Sequence, residues 1–252
     1  MSNHNNINEI YKKIIHLRSI DSTNKYAKTL VGPDLNYPIL IYSDEQTKGK
    51  GRIDRTFVSN LDAGVYMSIL FKSNFAIYNI TKVTGYTSVI VSEVLDELTK
   101  VKTSIKWVND IYVGNKKLCG ILTESIIKNT DVYLIVGIGI NVLRQDFPIE
   151  LKEIVTTIED ETNKKFDKEI LINEIATRFF TEIHKLESKE YITTYRNKSN
   201  VIGKNVELKI GENHIKGKAI DIDEDGELIV ESDEKIIKVY TGEITKVIIS
   251  NE

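Results

Sequence analysis

The chain has 252 residues, 41% hydrophobic and 28% charged, with a formal net charge of −3. That suits a full globular core plus a small second domain and excludes fibrous, repetitive and low-complexity classes. The mild acidity argues against a general nucleic-acid-binding surface, and the most apolar stretch, YLIVGIGINVL at 133–143, is too short to cross a bilayer.

The N-terminus, MSNHNNINEIYKK, lacks the apolar segment of a signal peptide. Cys119 is the only cysteine, so no internal disulfide forms, and a reducing cytoplasm is expected. His4, His16, His184 and His214 are scattered and give no metal-ligand spacing with Cys119. Residues 21–32 predict a helix capped by Ser22 or Thr23, with a Tyr26, Ala27, Leu30, Val31 stripe, ended by Gly32. Strands follow at 38–43 and 64–71, then a core-facing helix at 79–100. Residues 103–113 and 116–127 predict a hairpin turning at Gly114-Asn115, and 132–142 a further strand, so the order is a meander rather than alternating strand and helix. A long amphipathic helix is expected over 167–188, continuing over 189–197. From 201 to 249 the pattern shifts to short alternating runs broken by Gly211, Gly217, Gly226 and Gly242. That spacing predicts a small β-barrel or sandwich of about fifty residues. The expected division is 1–198 and 199–252, and the class is α+β: a mixed or antiparallel sheet with flanking helices.

The loop EQTKGKGRIDR at 45–55 sets Lys48, Lys50, Arg52 and Arg55 around Gly49 and Gly51. Like charges repel and ordered glycines cost entropy, so the loop calls for an anionic partner; a solvated surface loop, in which mixed basic residues are common, is the plainer alternative. It is not a dinucleotide fingerprint, because Asp54 holds the third glycine position and a strand follows. Neither it nor GIGINV (137–142) ends in Gly-Lys-Ser/Thr, which excludes a Walker-type phosphate loop. A regular hairpin about Gly114-Asn115 places Tyr112 opposite Lys117 and Asp110 opposite Cys119. Alternation then puts Lys106, Asp110 and Lys117 on one face, unless a bend at Val108 intervenes. Two ammonium groups and a carboxylate on an inner face call for a charged ligand or water; an exposed face with ordinary ion pairs is the plainer alternative.

STN (22–24), EQTKGKGRIDR (45–55), KWVND (106–110), KKLCGILTE (116–124) and GIGINV (137–142), in this order and spacing, resemble the biotin–protein ligase family. DFPIE (146–150) and IEDETN (158–163) look like the segments that follow, and the unit after residue 200 like the family's small C-terminal domain. The departures are Lys48, Lys50, Ile53 and Asp54 in a loop usually richer in Arg and Gly, Val108 in place of a proline and Phe57 in place of a tryptophan.

The resemblance implies a class II synthetase-like catalytic fold that joins biotin to AMP and then to a lysine of a biotin carboxyl carrier domain. ATP and Mg²⁺ are implied, the metal held mainly by the ATP phosphates. It implies biotin contacts from Ser22, Thr23, Asn24, Gln46, Lys50, Gly51, Arg52 and Lys117. Nucleotide contacts are implied for Arg55, Lys106, Asn109 and Asn141, and catalytic roles for Lys106, Arg52 and Asp110. For Ser22 and Thr23, helix capping is an alternative role. Trp107 is expected in the core rather than as a stacking platform, and Cys119 as a small buried residue. The STN motif starts at residue 22, which leaves no room for the helix-turn-helix domain many members carry, so no DNA partner is expected. The protein is expected as a monomer or a homodimer. The alternatives are a lipoate– or octanoate–protein ligase, whose Arg-rich run with three glycines is absent here, and a non-catalytic nucleotide- or anion-binding module.

Overall fold

The computed structural model describes residues 7–32, 35–53, 55–73 and 80–248. Asp54, and Asn79 at the expected start of a helix, lie outside the described residues. The larger sheet contains β1 (Lys13–Leu17), β2 (Ile39–Ser43), β3 (Gly64–Ser73), β4 (Ser104–Lys106), β5 (Asp110–Val113), β6 (Lys116–Lys128) and β7 (Asp131–Asn141). Its order is β1-β2-β3-β7-β6-β5-β4. β1 runs parallel to β2, and every other neighbouring pair is antiparallel, so the sheet is mixed.

Strand alternation gives the sheet two different faces. On β3 and β7, Val65, Met67, Ile69, Phe71, Leu134, Val136, Ile138 and Ile140 point into the main core. That core is completed by α3 (Ile80–Thr99), α5 (Lys168–Thr181) and α7 (Tyr191–Lys198). The opposite face carries Ile39, Ile41, Leu70, Tyr133 and Ile135, which pack around Ala27 of α2 (Thr23–Thr29). Each fully buried aliphatic side chain contributes about 1.5–3 kcal/mol. Continuing along this second face, β6 and β7 present Gly120, Gly137 and Gly139 in place of side chains. The sheet is hollowed there, beside the N-terminus of α2.

The second sheet contains β8 (Asn205–Ile210), β9 (Asn213–Ile222), β10 (Leu228–Ser232), β11 (Lys235–Val239) and β12 (Glu243–Ile248), in the order β11-β10-β9-β8-β12. It is an open antiparallel sheet, not the closed barrel expected from its spacing. Its apolar face, including Val206, Leu208, Ala219, Val230 and Ile244, joins the main core. Closure on itself is not needed to cover that face. Trp107 Nε1 donates to the Gly226 carbonyl (3.0 Å), tying the two sheets together.

Other expectations are corrected. The 167–188 helix is interrupted: α5 ends at Thr181, α6 spans His184–Ser188, and Lys189 at φ 64° separates it from α7. Phe179 and Phe180, adjacent in sequence, both pack edge-on against Phe71, at 5.7 and 5.6 Å, just before the break. A single tight turn leaves the apolar period nearly unchanged, so the pattern hides it. α2 ends at Thr29 with Leu30 as its C-cap, not at Gly32. Residues 103–113 are two short strands folded back on each other, with a turn at 107–109 that holds a cis Trp107–Val108 peptide. β1, α1 (Ile7–Ile10) and α4 (Ile158–Thr162) were not anticipated as elements.

Candidate active site

The hollowed face opens into a cavity of about 230 Å³. Ser22, Thr23 and Asn24 reach it from the start of α2, and Gln46, Lys50, Gly51, Arg52 and Arg55 from the basic loop. Lys106 comes from β4, Asn109 and Asp110 from the turn and β5, Lys117 from β6 and Asn141 from the end of β7. The residues singled out from sequence are therefore gathered in one place.

The floor is a satisfied polar chain. Ser22 caps α2, its hydroxyl accepting from Lys25 N at 3.4 Å. Asn24 Nδ2 donates to the Leu122 carbonyl (3.2 Å) and to Glu124 Oε2 (2.9 Å), while its Oδ1 accepts from the Ser68 hydroxyl (2.7 Å). Both flanking acceptors fix the amide's orientation. Thr23 gives its backbone N–H (2.8 Å) and hydroxyl (3.1 Å) to Gln46 Oε1, and Gln46 Nε2 donates to Ser59 Oγ (3.0 Å). The chain thus runs from β6 through α2 to the loop. Gly137 exists for close approach: an added Cβ would lie 2.9 Å from Asn24 Cγ. At Gly139 it would meet the Phe57 ring at 2.6 Å. This is why GIGINV is glycine-rich without being a phosphate loop.

The basic loop is a small hairpin. Gly51 N donates to the Arg55 carbonyl (2.7 Å) and Phe57 N to the Gly49 carbonyl (2.9 Å), with Ile53 exposed near its tip at φ 51°. Arg52 donates Nη1 to Asn109 Oδ1 (3.2 Å) and Nη2 to the Gly242 carbonyl (2.9 Å). Arg55 pairs with Glu243 at 2.5 Å. Arg55 therefore touches β12 itself and Arg52 the residue just before it.

On the wall, Lys106 and Asp110 face each other across β4 and β5. Asp110 pairs with Lys117 at 2.6 Å and accepts from Asn109 Nδ2 at 3.0 Å. The expected register is half correct: Tyr112 lies opposite Lys117, but Asp110 lies opposite Gly120, because the pairing shifts between Ile111 and Tyr112. The Lys106, Asp110, Lys117 cluster still forms, through a tight turn and a bulge rather than simple alternation. Burial pulls the Lys106 ammonium below the ordinary lysine range; Asp110 and Glu243 oppose that fall, while Lys117 and Arg55 add to it. Burial likewise lowers Arg52, against the pull of Asp110 and Glu243. Asn141 is buried and donates Nδ2 to the Thr156 carbonyl (3.1 Å). Trp107 and Cys119 are buried, Trp107 with one edge on the cavity.

Ser68, Ser59, Glu124 and Glu243 were missed from sequence. Ser68, Ser59 and Glu243 are lone polar residues without a motif spacing; Glu124 closes the KKLCGILTE motif, but only the fold brings it to Asn24.

The fold is a mixed sheet carrying a second small sheet, and its cavity has a hydrogen-bonded polar floor and a cationic rim, an arrangement suited to anionic groups. The chain belongs to the biotin/lipoate A/B protein ligase family, whose model matches residues 16–141, and the biotin protein ligase C-terminal domain matches residues 201–247. The bifunctional ligase/repressor BirA of Bacillus subtilis (strain 168) is 32% identical over 242 residues, covering 92% of this chain and 73% of that protein. The biotin–[acetyl-CoA-carboxylase] ligase of Mycobacterium tuberculosis (strain ATCC 25618 / H37Rv) is 25% identical over 233 residues, covering 86% and 82%. The Aquifex aeolicus biotin protein ligase in complex with biotin and ATP superposes with a TM-score of 0.80 at 32% identity, covering 93% of this chain and 98% of that one.

Proposed function

We infer that the protein is an ATP-dependent biotin–protein ligase, forming biotinyl-5′-AMP and pyrophosphate before passing biotin to a carrier lysine. The observation that carries this reading is the convergence of Lys106, Arg52 and Lys117 on one cavity in a chain that matches both family domains. In the first step a biotin carboxylate oxygen attacks the α-phosphorus and the bond to pyrophosphate breaks. Carboxylate and triphosphate repel, and fixed positive charge in a partly dry pocket offsets that repulsion as charge spreads over the transition state. Lys106 is assigned that role, with Arg52 and Lys117 on the acyl phosphate and Arg55 on the phosphates. Ser22, Thr23, Asn24 and Gln46 are assigned to the biotin ring, and Lys50 and Gly51 to the loop that covers it. Asn109 and Asn141 are assigned to the nucleotide. In the second step the carrier amine attacks the acyl carbon and AMP departs. Asp110 then helps the incoming amine lose its proton.

Mg²⁺ is expected on the ATP phosphates. Among the described residues no group of three His, Cys, Asp or Glu side chains could hold a metal, so no step is assigned to the ion. The carrier is proposed to be the biotin carboxyl carrier domain of a biotin-dependent carboxylase, and the location the cytoplasm. Among the described residues no helix is long and apolar enough to cross a membrane. A functional division near residues 198–199 is part of the proposal.

The family also includes lipoate ligases. The match to the biotin-specific C-terminal domain over 201–247 favours biotin. Incubation with MgATP and biotin, lipoate or octanoate, with the acyl adenylate detected by mass spectrometry, tests the reading. Only the biotin adenylate is expected; a lipoyl or octanoyl adenylate in its place would overturn it.

A further inference from the structure

Lys106 is placed unlike the other cavity cations. Lys117 is held by Asp110 at 2.6 Å and Arg55 by Glu243 at 2.5 Å, while Arg52 spends two donors on Asn109 and Gly242. Among the described residues Lys106 has no such partner; its ammonium lies over the Tyr112 ring, 5.8 Å from the centroid. The register explains the placement. Lys106 faces Asp110, and Tyr112 stands two residues further along β5, on the same face and diagonal to Lys106.

We propose that Tyr112 is a positioning residue for Lys106, whose ring holds the ammonium in place over the cavity while leaving its charge and its N–H donors free. An aromatic face attracts a cation through its quadrupole without accepting a proton or a strong hydrogen bond. A carboxylate in its place would tie up the donors and set a negative charge against an anionic substrate. Burial, with the nearby Asp110 carboxylate, pushes the Tyr112 hydroxyl up to about 12, so the ring stays neutral at physiological pH. Tyr112 lines the cavity beside Lys106 and Asp110, where such a platform is useful. The neighbouring Asp110 is already engaged by Lys117 and Asn109, so it does not replace the ring as Lys106's support.

The inference rests on the ligase reading for its catalytic consequence, but not for the contact itself. The contact is tested by NMR on the whole protein. Ring-current shifts of the Lys106 ε-CH₂ protons, assigned by their loss in Lys106→Met, should persist in Tyr112→Phe and vanish in Tyr112→Leu. Unshifted ε-CH₂ protons in the wild type overturn the proposal whether or not the protein makes an adenylate. The consequence is tested by single-turnover adenylation. Tyr112→Leu should lower the maximal rate roughly 2- to 30-fold, the range of a cation–π contact, with the KM for biotin little changed. Tyr112→Phe should restore the rate. A Phe variant as impaired as Leu, or a loss confined to KM, would each overturn the proposal. If Tyr112→Leu does not fold, Tyr112→Met supplies the same comparison.

Discussion

Gly137→Ala is the sharpest probe of the cavity floor. The added methyl carbon would lie 2.9 Å from Asn24 Cγ and 3.0 Å from Asn24 Nδ2, with Oδ1 nearer still. Gly137 sits in the middle of β7, paired with Ser68 on one side and Leu122 on the other, so the backbone cannot retreat. Asn24 must move instead. It then loses the Ser68 (2.7 Å), Glu124 (2.9 Å) and Leu122 (3.2 Å) contacts. Overpacking costs about 1–3 kcal/mol and a stranded buried polar partner about 1–3 kcal/mol. The combined loss is roughly 2–6 kcal/mol, and at about 2–4 °C per kcal/mol for a chain of this size the melting point should fall by roughly 4–24 °C. Because Asn24 leaves the floor, biotin binding by calorimetry should weaken by roughly tenfold or more, the equivalent of one lost buried hydrogen bond. A variant with unchanged melting point and unchanged biotin affinity would refute the account of the floor.

Lys106→Met should abolish adenylate formation while leaving calorimetric biotin binding largely intact, since its charge acts at phosphorus. Burial lowers the Lys106 ammonium below its ordinary 10.5, so its charge is lost as pH rises through that lowered value. The alkaline limb of the adenylation rate should accordingly fall earlier than an ordinary lysine would dictate, and Lys106→Arg should move it upward if any activity remains. Arg52→Gly removes contacts to Asn109 and Gly242 that fasten the loop; it should release adenylate that biotinylates bystander albumin on a blot, which wild type should not do. Burial pushes the Cys119 thiol up and seals it from solvent. Native protein should therefore resist iodoacetamide at pH 8 and react fully once unfolded.

Much of this architecture was legible because local chemistry and tertiary context agree. The Gly114-Asn115 turn reads directly: Gly114 has φ 55° and Val113 pairs with Lys116. The basic loop and the α2 N-cap also read directly, since each is a compact motif; the Lys106 to Lys117 cluster was anticipated from alternation but is built by a turn and a bulge. What was illegible depends on contacts distant in sequence. Ser68 joins Asn24 across 44 residues, and Arg52 reaches Gly242 across 190. No local pattern encodes such pairs. The break after Thr181 was hidden by an apolar period that one turn barely disturbs, and the bulge between Ile111 and Tyr112 moved Asp110 by one partner. The open second sheet was misread because strand spacing carries no information on what covers the sheet. Here the main core does.

The most direct measurement is intact mass spectrometry of a biotin carboxyl carrier domain incubated with this protein, biotin and MgATP. The account predicts one added biotinyl group, mapped by peptide fragmentation to a single carrier lysine, and none when ATP is omitted or Lys106 is replaced by Met. A carrier of unchanged mass, under conditions where the Aquifex aeolicus ligase modifies it fully, would contradict the account.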